Sequence, residues 1–200
     1  MRISTICVAA ALLAAPAAQC ADAGQAAGNR VAFVNVAGAL DGTLFARTVT
    51  NGVSQVIPLR LELVEEGSFD AAAAIAAAAK GHPAGGGRIL SVYFVDSAEM
   101  PPLVAVPGFL ATVNVRGLSK GADAELYGRR VLKMALKGLA FACGVGANQD
   151  SGRCVMGSGS FETLKGIDGT SATYSPFAYF PLAEFLGARG LLDESEPEIE

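Results

Sequence analysis

The chain has 200 residues, of which 52% are hydrophobic and 17% are charged, and its formal net charge is −4. This length suits one domain of ordinary size. Basic and aromatic residues do not cluster in the sequence, so we expect no nucleic-acid partner.

Residues 1–23 have the layout of a secretory signal peptide. A basic residue precedes a short apolar stretch at 8–15, and small residues up to Ala23 offer a cleavage site. The alternatives are a membrane anchor, for which the stretch falls short of the roughly 20 residues required, and a lipoprotein signal at Cys20. We predict export to the periplasm or the medium, with no membrane span in the mature chain. The mature domain is then expected over residues 24–192.

The domain opens with alternating strand and helix signals. The run VAFVNV at 31–36 is typical of a strand, and 41–53 carries apolar residues at helical spacing after Asp41, a plausible N-cap. Residues 56–64 alternate leucines with charged residues, which predicts a half-exposed strand. Pro58 must then lie at the start of that strand or on an edge of the sheet.

The next segment predicts one helix and three strands. Residues 68–80 are rich in alanine and follow Ser68, which is a good helix N-cap. The run at 89–95 has little polarity, so we place it centrally in the sheet. Residues 103–115 read as two short strands separated at Pro107-Gly108.

The longest predicted helix covers residues 121–143 and starts near Asp123, with glycines from Gly144 onwards to end it. Residues 147–175 have loop composition, and 182–192 predict a short terminal helix. The pattern is that of an α/β domain with a single-layer mixed sheet and a long helix followed by an irregular C-terminal part. The acidic residues 193–200 are expected to form a solvated, disordered tail.

Three basic residues on the long helix share a face because they are four positions apart: Arg129, Lys133 and Lys137. Such a basic face is usually solvated, and the alternative is contact with an anionic partner. Two cysteines remain after the signal, Cys143 and Cys154. In an exported protein they would most simply form a disulfide, and the alternative is a pair of buried thiols.

Familiar catalytic motifs are missing from the sequence. The one histidine of the chain, His82, lies in a glycine-rich loop that is a poor support for a catalytic base. No G-x-S-x-G motif is present, and Gly157-Ser158-Gly159-Ser160 lacks the lysine of a phosphate-binding loop. We therefore expect no catalytic residue and no cofactor.

Three short motifs follow one another in the last third of the chain. KGLAFACG ends at Gly144, RCVM contains Cys154 and Met156, and YSPFA contains Ser175 and Pro176. They resemble the H-E-x-x-H-x-x-G helix, the C-x-M motif and the C-P-x-C motif of the archaemetzincins, a branch of the metzincin metallopeptidases. The resemblance implies a metzincin-like upper domain, with Met156 in the turn beneath the metal.

The departures from the family motif fall on the residues that carry its chemistry. Lys137 and Phe141 stand where the two zinc-binding histidines would be, and Gly138 stands where the general-base glutamate would be. The resemblance therefore implies a degenerate scaffold with no metal. In that scaffold the ammonium of Lys137 would take the place of the cation, near Met156.

These observations favour an exported, non-catalytic domain, a zinc-less metzincin-like pseudopeptidase that binds a protein or peptide. An edge strand in such a fold can pair with an extended peptide. One alternative is a hydrolase or peptidase with a non-metal site, built on Asp168 with its neighbours in 157–170 or on Lys137 activating a hydroxyl. Another alternative is a structural component of the periplasm or cell surface.

Overall fold

The computed structural model describes residues 29–83, 88–147, 153–157, 161 and 163–193. The predicted signal peptide and almost all of the predicted acidic tail lie outside these residues. Five strands form one mixed sheet with the order β2-β1-β3-β5-β4. The strands are β1 (Val31–Val36), β2 (Leu61–Glu66), β3 (Leu90–Val95), β4 (Leu103–Val106) and β5 (Leu110–Asn114).

Four strands of the sheet are parallel, and only β4 runs antiparallel to its neighbour β5. Every residue of β1, β3 and β5 is buried, which agrees with their nearly continuous apolar sequences. The central position predicted for residues 89–95 is confirmed. The predicted break at Pro107-Gly108 is confirmed too, because β4 and β5 form a hairpin there and Gly108 has a φ of 89°.

The described residues form six α-helices and one π-helical segment, none of which is long and apolar enough to cross a membrane. The first is continuous with a π-helical segment that leads into the second, so together they form one irregular helix. The bounds are α1 (Gly42–Ala46), the π-helical segment (Arg47–Val53), α2 (Ser54–Val56), α3 (Ala71–Ala79), α4 (Ala124–Ala142), α5 (Leu164–Gly169) and α6 (Pro176–Gly187).

Two predicted boundaries in the first half are wrong. The strand expected over 56–64 begins at Leu61, because the irregular helix continues to Val56 and Pro58 lies in the connection. Helix α3 begins after Asp70, not after Ser68. The Asp70 carboxylate accepts a hydrogen bond from the backbone N–H of Ala73 at 2.9 Å, so it satisfies one of the free donors of the first turn.

The C-terminal part is more regular than its composition predicts. Helix α5 lies inside the expected loop, where the Thr163 hydroxyl accepts from the N–H of Gly166 at 3.1 Å. The terminal helix, α6, begins six residues earlier than predicted and contains Pro181. Its first residue is Pro176, whose missing N–H costs nothing in the first turn of a helix.

Helix α4 packs directly on the sheet at Gly138. A β-carbon at this position would lie 3.0 Å from Val113 Cγ2 and 3.4 Å from Leu103 Cδ1, so a larger residue cannot enter without movement of the sheet or the helix. This contact fixes α4 against the β4–β5 hairpin. The other side of α4 is thereby left to the C-terminal segments.

We predict that Gly138→Val lowers the free energy of unfolding by about 1–3 kcal/mol, since the added methyl groups overpack the helix–sheet contact. The matched control is Gly128→Ala in the same helix, where the nearest atoms are 3.4 Å away and belong to flexible side chains. The control should leave stability unchanged or raise it. Urea denaturation monitored by circular dichroism measures both, and equal stability of the two variants would contradict the close packing.

Candidate functional site

The candidate site is built around α4, whose two ends are well defined. The carboxylate of Asp123 accepts from the N–H of Leu126 at 2.7 Å and caps the first turn. Cys143 closes the last turn, and Gly144 follows with a φ of 81°, as the sequence predicts. Nearly all of the second half of the helix is buried.

Three buried cationic side chains project from α4 toward the C-terminal segments. We call Arg130, Lys133 and Lys137 the cation row, and their spacing of three and four residues places them on one side of the helix. Arg130 makes a bidentate ion pair with Asp168 of α5, with Nε and Nη2 each 2.8 Å from a carboxylate oxygen. Its Nη1 donates to the carbonyl of Leu118 at 2.7 Å. The first member of the row therefore ties α4 to α5 and to the loop that precedes α4.

Lys133 is held by backbone carbonyls of α5. Its Nζ donates to the carbonyl of Ile167 at 2.9 Å, and the Asp168 carbonyl lies 3.4 Å away. Burial lowers the pKa of Lys133, and the Asp168 carboxylate opposes that shift. The hydrogen bonds from Arg130 lower the pKa of the Asp168 carboxyl. The C-terminal carbonyls of a short helix thus face the Lys133 ammonium, which is electrostatically favourable.

Lys137, the last member of the row, is enclosed by a carbonyl and two aromatic rings. Its Nζ donates to the carbonyl of Gly157 at 3.2 Å and lies 4.1 Å from the ring centroid of Phe161 and 5.5 Å from that of Phe141. Both distances are within the range of cation–π attraction. The residue is only 5% exposed, and its burial lowers the pKa of Lys137 to about 8.

The predicted basic face must be corrected. Only Arg129 is exposed, where it pairs with Glu125 one turn earlier, whereas Lys133 and Lys137 are buried. The four-residue spacing is real, but the C-terminal segments cover two of the three positions. The sequence analysis did not identify Arg130. Its spacing could have indicated it, because Arg130 lies on the same side of the helix as Lys133 and Lys137.

The turn after the undescribed residues 148–152 lies beneath α4. It contains Cys154 and the fully buried Met156, and it closes with a hydrogen bond from Gly157 N–H to the Cys154 carbonyl at 3.0 Å. We call residues 153–157 the methionine turn. The carbonyl of its last residue, Gly157, accepts a hydrogen bond from Lys137, so the lysine and the methionine turn are adjacent. Ser175 and Pro176 begin α6 nearby, since the Tyr174 hydroxyl donates to the Leu136 carbonyl of α4 at 2.5 Å.

The expected disulfide is not formed. Cys143 and Cys154 both lie within the described chain, both are buried in the main core, and their sulfurs are not bonded to each other. Burial raises the pKa of Cys143 to about 12, so this sulfur stays a protonated thiol. Disulfide formation needs the thiolate, and the packing therefore favours the alternative of buried thiols.

The donor set does not fit a zinc ion. Zinc sites in proteins use three or four His, Cys, Asp or Glu ligands, and no three such side chains come together in the described parts of the chain. His82 is exposed on the loop after α3. An ammonium group at Lys137 repels a metal cation instead of binding it.

The geometry of Asp168 disfavours a hydrolase site built on that residue. Both of its carboxylate oxygens already accept from the Arg130 guanidinium. The Lys137 ammonium donates to a backbone carbonyl and lies over two aromatic rings, and none of these three groups can act as a nucleophile. The serines considered in the sequence, Ser158 and Ser160, lie outside the described residues.

The fold has a known counterpart. The chain is similar to the crystal structure of an archaemetzincin from Methanopyrus kandleri, with a TM-score of 0.62 and 20% sequence identity over 80% of this chain and 96% of that one. The fold is archaemetzincin-like. Neither the protein-family models nor the curated protein sequences contain a match to this chain.

The buried ammonium predicts an unusual dependence of stability on pH. The pKa of Lys137 is about 8 in the folded protein, against an ordinary lysine pKa of 10.5 that we expect in the unfolded chain. The unfolded chain therefore binds more protons between these two pH values. The contribution of Lys137 to stability therefore rises as pH increases from about 8 to 10.5. We expect Lys137→Met to lack this rise.

The measurement is the free energy of unfolding by urea for both proteins at several pH values between 7 and 10.5. The difference between the wild type and Lys137→Met cancels the titration of the other groups. A difference that stays constant over this range would contradict the burial of a charged Lys137.

Proposed function

We propose that this protein is an exported, zinc-free relative of the archaemetzincins that binds an extended polypeptide and does not cleave it. Export is supported by the signal-like residues 1–23. Relationship to the family is supported by the three motifs and by the similarity of fold. Loss of the peptidase chemistry is supported by the residues found on α4.

The single observation that carries the proposal is the environment of Lys137. In the register of the family motif this residue replaces the first zinc-binding histidine, and its ammonium is bound by the Gly157 carbonyl directly after Met156. The position of the second histidine is occupied by Phe141, whose ring faces the same ammonium. A cation fixed on the protein thus occupies the neighbourhood of the methionine turn, where the family pattern would place a metal ion.

A polypeptide could bind along β4, which is an edge strand of the sheet. Asn114 N–H donates to the Pro102 carbonyl at 3.0 Å, so these two residues form a hydrogen-bonded pair at the end of the β4–β5 ladder. Along an antiparallel ladder, hydrogen-bonded pairs alternate with pairs whose N–H and C=O groups point away from the partner strand. Val104 and Val106 therefore bond to β5, and the N–H and C=O groups of Ala105 point to the open side. An extended chain can pair with such groups by adding a strand.

Exposed aromatic residues favour a binding role over a purely structural one. Phe177 and Phe180 are three residues apart on α6, and their side chains are 75% and 69% exposed. Exposed apolar patches on exported domains commonly mark interaction sites. This patch is separate from the β4 edge in sequence and can be tested on its own.

Substitution of Ala105 tests peptide binding at β4. Ala105→Pro removes an N–H that points away from the sheet, so the ladder with β5 is kept while one bond to an added strand is lost. Peptides selected from a random displayed library on the wild type should bind the proline variant about tenfold or more weakly. Affinities are measured by fluorescence anisotropy with the labelled peptides.

The matched control is Ala105→Ser, which keeps the N–H and should bind like the wild type. A second control is Phe177→Ser, which should leave peptides bound at β4 unaffected. Selected peptides that bind Ala105→Pro as tightly as the wild type would contradict binding at this edge. Cleavage of those peptides by the purified protein would contradict the loss of peptidase activity.

A further inference from the structure

A groove of about 250 Å³ lies between the π-helical segment and the first half of α4. Its walls carry the guanidinium groups of Arg47 and Arg129, the carboxylate of Glu125 and the amide of Asn51, together with the apolar side chain of Leu132. The groove is slightly smaller than most ligand sites, which begin at about 300 Å³. It therefore has room for a small molecule with one polar end.

Two glycines bring the walls of the groove close together. A β-carbon on Gly52 would lie 2.8 Å from Leu132 Cδ1, so the π-helical segment rests directly on that leucine. A β-carbon on Gly128 would lie 3.4 Å from Arg47 Nη2. The Arg47 guanidinium thus lies over the backbone of α4 at Gly128, and Gly128 is the residue directly before Arg129.

Among the described residues, the groove carries two guanidinium groups and one carboxylate, so one positive charge is left without a counter-charge. Arg129 forms its ion pair with Glu125, which is itself largely exposed. Arg47 is exposed and forms no ion pair with a carboxylate in the part of the chain that the structure covers. One guanidinium therefore remains available for an anion, and guanidinium groups bind carboxylates through two parallel hydrogen bonds.

The π-helical segment is an independent indication of function. Seven residues, Arg47–Val53, follow π-helical geometry, which is rare, energetically less favourable than an α-helix and frequent at functional sites. Three of them, Thr48, Val49 and Val53, are buried and fix the segment on the core. Arg47 and Asn51 are one turn apart in this segment, and its π-helical winding determines the directions in which their side chains face the groove.

From these observations we infer that the groove binds a small aliphatic monocarboxylate. The carboxylate would lie between Arg47 and Arg129, and the aliphatic part would cover Leu132. A single unpaired guanidinium suits a single negative charge, and an apolar surface beside it favours a ligand with an aliphatic body over a bare anion. This inference does not depend on peptide binding at β4.

Titration of the ¹⁵N-labelled protein with isovalerate, followed by NMR, tests the inference. We expect saturable shifts of the Thr48, Asn51 and Gly128 amides, with a Kd on the order of 1 mM for so small a ligand. Arg47→Ala should weaken binding about tenfold or more, because it removes a charged hydrogen-bond donor.

The controls separate charge from apolar contact. Isovaleramide has the same shape without the charge and should not bind, and inorganic phosphate has the charge without the aliphatic body and should bind more weakly. Arg116→Ala, which removes an exposed arginine outside the groove, should bind isovalerate like the wild type. The inference is overturned if the wild type shows no saturable shifts, if Arg47→Ala binds equally well, or if either control ligand matches isovalerate.

Discussion

The arrangement of the C-terminal half depends on the attachment of α4 to the segments that follow it. One side of the helix packs on the sheet at Gly138, and the other presents the cation row. Buried charges are tolerated only where they are paired or hydrogen-bonded. Arg130 and Lys133 meet this requirement through Asp168 and the carbonyls of α5, and Lys137 meets it through the Gly157 carbonyl and two rings. The positions of α5 and of the methionine turn are therefore coupled to α4.

This coupling supports the proposed absence of zinc chemistry. In the proposed relationship to the archaemetzincins, a metal ion would link the helix to the region above the methionine turn. Here a lysine of the helix makes that link by itself, since its ammonium reaches the Gly157 carbonyl beside Met156. A side-chain ammonium supplies a positive charge but has no open coordination position for a water molecule. The proposed loss of catalytic chemistry is therefore compatible with an intact scaffold.

Much of the fold could be predicted from the sequence because its signals are local. The apolar runs of β1 and β3, the proline–glycine turn between β4 and β5, and Asp123 and Gly144 at the ends of α4 each depend on a few neighbouring residues. The cation row could not be predicted in this way. A lysine at helical spacing is usually solvated, and only the later segments, brought back over α4, bury Lys133 and Lys137. The start of α6 was missed for a similar reason, because Pro181 is an unfavourable helix residue that the tertiary packing tolerates.

The most direct test of the account is the zinc content of the purified protein, measured by elemental analysis and by titration against a chromophoric chelator. Lys137→Met is the matched variant, since it removes the ammonium and adds no strong zinc ligand. The account predicts no stoichiometric zinc in either protein and no zinc affinity above that of exposed carboxylates. One tightly held zinc ion per wild-type chain would contradict it, because the residues on α4 would then not have replaced the metal.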